Sequence, residues 1–341
     1  MKVTKQLSIL VVLALLAMLG GTGSAFAEKT IKLHHLNKDD PFDNPTGAMA
    51  TVFKSLVESG TNGSVLVQTF PSGQLGKDND VVQQVKAGVI QSGIHSVGGF
   101  ASIYPLIGVL DVPFAFPNIS KTYEVFDGPF GTRLAADIDQ KTGLHVLGFG
   151  DSGGFFHLTN SKRPIHSPAD MAGMKIRTMG LDTHQAIITA MGGQPAAISW
   201  SEVYTALQTG VADGQMNPVP IIAFAKFQEV QKYLTLTGHV FAPYVWTINK
   251  EFWNSLSDSE KEVVASAAKS AIVAGRGMGR VIEASDRGLT ELAKTMEVNS
   301  LTAAEKEEFR NVATPAVKKL IAEKFGAEGE ELMNAFLEAI Q

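Results

Sequence analysis

The chain has 341 residues, 45% of them apolar, and sets 29 basic against 34 acidic side chains for a formal charge of −5. A mildly acidic chain with no basic run argues against a nucleic-acid-binding role. It contains no cysteine, which excludes disulfides, thiolate catalysis and thiolate-ligated metals; its length suits two domains of ordinary size, stabilised by apolar cores alone.

The N-terminus carries Lys2 and Lys5, an apolar run from Leu7 to Leu19, glycines, and the small-residue triplet Ala25-Phe26-Ala27. This is the layout of a cleavable export signal spanning residues 1–27. The run falls short of the roughly 20 apolar residues a spanning helix requires. The mature protein is therefore expected to begin near Glu28 and to work outside the cytoplasmic membrane.

Alternation in Thr30 to Leu36 predicts a strand, followed by a turn-rich stretch, a helix around Ala48–Glu58 and a second strand over Ser64–Phe70. A β-α-β opening of this kind indicates an α/β domain. A helix over Asp80–Ala87 stops at Gly88, and a strand over Gln91–Gly99 dissolves into glycines. Ile107–Phe116 contains Pro113 and reads as a loop. Leu144–Phe149 is a strand that runs into Gly150-Asp-Ser-Gly-Gly154, a natural crossing between domains. Strands at Phe155–Asn160 and Met174–Met179 follow, with helices over Thr183–Met191 and Ser201–Leu207. Val240–Ile248 reads as a second crossing strand. Ser257 with Glu260 makes a capping box, opening a proline-free helical pattern through Met296; another helix runs from Ala303 to the C-terminus.

Complete catalytic motifs are missing. There is no phosphate-binding loop and no H-E-x-x-H zinc pair. Gly150-Asp-Ser152-Gly-Gly154 satisfies G-x-S-x-G, but a nucleophile elbow needs a helix after the serine, and a strand is expected there. An exported hydrolase using Ser152 would also lack an identifiable base. His34 and His35 point to opposite faces of a strand, a poor metal site, and no cofactor motif is found.

Several segments together carry a resemblance: Met174-Lys-Ile-Arg177; Ile198-Ser-Trp-Ser-Glu-Val-Tyr-Thr-Ala-Leu-Gln-Thr-Gly-Val-Ala-Asp-Gly-Gln-Met-Asn217-Pro218; and, earlier, Phe70-Pro-Ser-Gly-Gln-Leu-Gly76, Val85-Lys-Ala-Gly88 and Asp111-Val-Pro-Phe-Ala-Phe116. The chain resembles the extracytoplasmic solute-binding proteins of TRAP transporters, of the dicarboxylate-binding (DctP) type. That resemblance implies an α/β, two-lobed periplasmic binding protein fold with crossing hinge strands and a long hinge-spanning helix. Lobe I would comprise residues 28–152 plus about 243–282, and lobe II residues 153–242 plus about 283–341. It also implies a monomer in the periplasm whose partners are a small and a large integral membrane subunit driven by an ion gradient.

Carried over residue by residue, the resemblance makes Arg177 the principal carboxylate-binding residue, Asn217 the second polar contact and Trp200 an aromatic wall. A guanidinium can donate two parallel bonds to a carboxylate, and an amide can donate and accept at once. Glu202 and Tyr204 read as structural, Glu202 in a cap with Ser199. Where many members have a second arginine, in a Gly-x-Arg arrangement, this chain has Phe156 with His157 beside it. One arginine and many aromatics, Phe241 among them, favour a compact monoanion. Ser96 and His35 fall toward the ends of two strands, where open α/β sheets bind ligands. The expected function is capture of a short hydroxy or keto monocarboxylate, or a small sulfonate; the same fold could serve a chemoreceptor or two-component sensor as adaptor.

Overall fold

The computed structural model describes residues 29–341; the export signal expected at 1–27 lies outside the described residues. The chain builds two sheets. In chain order the strands are β1 (Lys29–His34), β2 (Val65–Phe70), β3 (Ser92–Ser96), β4 (Leu144–Phe155), β5 (His157–Asn160), β6 (Lys175–Thr178), β7 (Gln194–Ala197), β8 (Gly214–Asn217), β9 (Tyr233–Leu236), β10 (Phe241–Asn249) and β11 (Glu297–Ser300). The first sheet has the order β2-β1-β3-β10-β4 and the second β11-β9-β5-β8-β6-β7. This is the expected α/β architecture of two lobes.

Two strand connections join the sheets. β4 passes into β5 with only Phe156 between them, and β9 returns to the first sheet through β10, which lies antiparallel to both β3 and β4. The glycine-rich stretch expected as the crossing remains inside β4, so the crossing itself falls at Phe156. Glycine is required there: Gly153 and Gly154 have φ of +140° and +112°, a region side chains rarely enter. Asp151, 1% exposed, accepts hydrogen bonds from the N–H groups of Gly153 (2.8 Å) and Gly154 (2.6 Å) and from the Tyr123 hydroxyl (2.8 Å). The carboxylate thus occupies donors that a regular ladder would have used.

One face of the first sheet is covered by the helix Pro45–Gly60 and the long helix Asp258–Ala284, which bury Ile31, Leu33, Phe53, Ile94 and Trp246 with them. Phe53 meets Trp246 edge-on at 4.8 Å, and full burial of such side chains stabilises by about 1.5–3 kcal/mol each. Asn44 caps the first helix through Gly47 N–H (2.8 Å), with Pro45 opening it. The expected capping box opens the second: Glu260 N–H donates to Ser257 Oγ at 3.3 Å and Ser257 N–H to Glu260 Oε2 at 2.8 Å.

That second helix is shorter than its sequence pattern. It stops at Ala284, because Gly288 turns back against Ile282, where a Cβ would meet the carbonyl oxygen at 2.4 Å. A short helix, Leu289–Leu292, and β11 follow, the latter parallel to β9. The final helix, Ala303–Ile340, touches both lobes, lying on the helix Asp182–Ala190 and on the segments Pro105–Asp111 and Ile119–Asp127. Among the described residues no helix is long and apolar enough to cross a membrane.

Candidate functional site: an interlobe cleft

A cavity of about 770 Å³ lies between the two sheets. Arg177, Asn217, Trp200, Phe156 and Ser96 line it; His157, Phe241 and His35 do not.

Arg177 stands on β6, paired with Gln215 of β8, and is 3% exposed. Its Nε donates to the carbonyl of Ile198 at 2.9 Å, and among the described residues no carboxylate pairs with it. Burial lowers its pKa to about 10, which leaves it charged at neutral pH. A buried cation without a counter-ion is costly unless an anion is supplied. This one is held through Nε by a single carbonyl, and its side chain lines the cleft.

Asn217 ends β8 and precedes Pro218, which places it at the mouth of a strand. Its Nδ2 donates to Gln215 Oε1, while Gln215 Nε2 donates to Thr159 Oγ1 (2.9 Å) and Thr159 Oγ1 to Gln231 Oε1 (3.0 Å). A buried relay therefore orients the Asn217 amide. Trp200 begins a short 3-10 turn and sits edge-on to Phe227 at 5.8 Å. Ser96 lines the cleft from the first sheet, its N–H donating to Asp78 Oδ2 at 2.8 Å.

Phe156, 2% exposed, projects its ring between cleft and core, edge-on to His184 at 5.6 Å. Alternation sends the next residue the other way: His157 turns into the second lobe, where its Nδ1 accepts from Gly238 N–H at 3.1 Å and burial lowers its pKa to about 4. Phe241 belongs to an aromatic cluster with Phe116 (6.0 Å), Phe126 (5.6 Å) and Phe155 (6.0 Å). His35 is fully buried behind β1, 3.9 Å from Asp39, with its pKa also lowered to about 4 by burial. His34 is buried as well, because the first sheet is covered on both faces. No group of three or more metal-capable side chains occurs among the described residues.

Several lining residues escaped the sequence reading. Asp78 lines the cleft from the first lobe, held by Ser96 N–H and 3.1 Å from His95 Nδ1. Tyr244 of β10 points its hydroxyl at Asn37, whose Nδ2 donates to it at 3.2 Å. Lys38, Lys77, Met179 and Phe224 complete the rim. Tyr244 is among the aromatic residues expected near the cleft, whereas Asp78, Lys38, Lys77, Met179 and Phe224 carry no such signal. Tyr204 also lines the cleft and donates to Glu229 (2.7 Å), and Glu202 makes no cap with Ser199 but pairs with Lys77 at 3.1 Å. Ser152 lines the cleft too, but it lies inside β4 and is followed by β5 instead of the helix that a nucleophile elbow requires.

Two sheets joined by paired crossing strands, with a deep cleft between them, define a two-lobed α/β binding-protein fold. The chain belongs to the bacterial extracellular solute-binding protein family 7, DctP, whose model matches residues 37–324. A solute-binding protein of Verminephrobacter eiseniae is 36% identical over 276 residues, covering 81% of this chain and 80% of that one. A TRAP periplasmic solute-binding protein from Polaromonas sp. JS666, solved bound to D-erythronate, is 36% identical, with a TM-score of 0.83 over 91% of this chain and 98% of that one. Another, from Sulfurospirillum deleyianum with bound succinate, is 31% identical, with a TM-score of 0.82 over 92% of this chain and 100% of that one.

Proposed function

We propose that this protein captures a small organic anion in the periplasm and presents it to the small and large integral membrane subunits of a TRAP transporter, its first 27 residues being removed on export. The observation that carries this reading is Arg177, a buried cation that lines the cleft and has no carboxylate partner among the described residues. The anion docks on Arg177 and Asn217, and each charge-assisted bond contributes about 1.5–3 kcal/mol in net terms. Closure of the two lobes on each other then excludes water, which strengthens those bonds.

Phe156 in place of a second arginine, with Trp200, Met179 and Phe224 around the cavity, favours a short hydroxy or keto monocarboxylate or a small sulfonate over a dianion. The bound D-erythronate of the Polaromonas relative is a hydroxy monocarboxylate and fits this class; succinate in the other relative marks the dianion alternative. A thermal-shift screen over small carboxylates and sulfonates tests the reading. Monocarboxylates are expected to raise the melting temperature, and a screen in which no small anion does so overturns it.

A further inference from the structure

Two contacts cross the mouth of the cleft. Lys77 of the first lobe pairs with Glu202 of the second at 3.1 Å, both about half exposed. Lys38 of the first lobe places its ammonium 5.8 Å from the centre of the Phe224 ring of the second. Lys38, Lys77 and Phe224 line the cavity, and Glu202 lies two positions after Trp200, which also lines it.

We propose that Lys77 and Glu202, reinforced by Lys38 over Phe224, form a closure latch that governs how long the captured anion stays bound. The proposal rests on the reading of the cleft as a capture site. Both contacts join the two lobes, so they form only when the lobes have come together, and they stabilise the closed state relative to the open one. A ligand that has to wait for reopening before it leaves is then released more slowly, while its rate of entry into the open cleft is untouched. Exposed ion pairs are weak and salt-screened, and a lysine 5.8 Å from the centre of a half-buried aromatic ring is comparably modest. Modest strength suits a latch, since a strong one would prevent delivery. Lys77 and Glu202 are thus positioning residues, acting on the ligand through the lobes.

The cysteine-free chain permits the test without background labelling. Val89→Cys in the first lobe and Val211→Cys in the second, both more than half exposed, carry a fluorophore pair that reports the interlobe distance of the full mature protein. With no ligand added, Glu202→Gln should lower the closed-to-open ratio about two- to fivefold at low salt. Raising the sodium chloride concentration should open the parent protein and leave Glu202→Gln unmoved. The double charge swap Lys77→Glu with Glu202→Lys should restore both closure and salt response. With D-erythronate as probe, Glu202→Gln should speed dissociation by the same factor and leave association unchanged. A distance distribution and salt response identical in parent and Glu202→Gln overturn the latch, as does a charge swap that fails to restore them. Loss of D-erythronate binding by the parent itself would count against the capture reading, whereas the ligand-free distances judge the latch alone.

Discussion

Arg177 donates from Nε to the carbonyl of Ile198 at 2.9 Å, so one edge of the guanidinium is fixed by backbone while the side chain lines the cleft. The cation is pre-positioned by its own lobe before any anion arrives. Pre-positioning reduces the ordering cost of binding. Arg177→Ala should therefore weaken the best-binding anion by at least about a hundredfold, the loss of about 3 kcal/mol or more of charge-assisted bonding. Arg177→Lys should recover only part of this, because an ammonium cannot make the paired fork. Calorimetric titration measures both, and unchanged affinity in Arg177→Ala would remove the centre of the site.

Phe156 tests the charge selectivity of the cleft. Phe156→Arg should move the preference between succinate and D-erythronate toward succinate by about tenfold, a difference of about 1.4 kcal/mol. Competition between the two anions in one thermal-shift series reads that ratio directly. An unaltered ratio in a folded variant would confine the position to core packing.

Four buried histidines make stability depend on pH. Burial lowers His34, His35 and His157 to about 4 and His239 to about 3, against 6.5 in an exposed chain. The unfolded chain then binds protons that the folded protein refuses, so stability is complete above about pH 6.5 and is lost as the pH falls toward 4. At pH 5, about 1.5 pH units below the unfolded value, each histidine contributes a loss of about 2 kcal/mol. Urea midpoints should fall steadily between pH 7.5 and pH 5; a flat profile contradicts the burial of these rings in neutral form.

Gly154 tests the crossing. A Cβ there would meet Arg280 Nη2 at 2.7 Å on a backbone whose φ is +112°, so Gly154→Ala should destabilise by about 1–3 kcal/mol. Gly277, in the helix Asp258–Ala284 with open space around it, provides the contrast: Gly277→Ala should stabilise by about 0.5–1 kcal/mol. Melting temperatures moving in opposite directions are the expected result.

The sequence made the second lobe's side of the cleft the most legible, since Arg177, Trp200 and Asn217 lie in the segments that carry the family resemblance. The first lobe's contribution was largely hidden. Asp78 lies at the start of a short helix, and nothing in its neighbours distinguishes a carboxylate that lines a cleft from one that decorates a helix N-terminus. His157 and Phe156 show the limit of reading adjacent residues, because strand alternation assigns them to opposite sides only once the strand boundary is fixed. β11 was obscured for a related reason: Glu297–Ser300 is four residues long, follows a helical pattern without a proline, and becomes a strand through pairing with β9, a partner distant in sequence.

The C-terminal helix has a mechanical consequence. Gly326 interrupts it with φ of +56° and ψ of −145°. Just before this point Lys324 pairs with Asp182 of the second lobe; just after it Glu328 and Glu331 pair with Lys141 and Arg133, and Phe336 meets Phe130 at 5.3 Å, all of the first. The terminal helix is therefore two rods with an elbow at a residue that has no side chain to obstruct bending. The first rod also reaches the first lobe, Thr314 Oγ1 donating to the Pro113 carbonyl at 3.1 Å, so this backstrap bridges both lobes and any rotation between them is shared between that rod's contacts and the elbow.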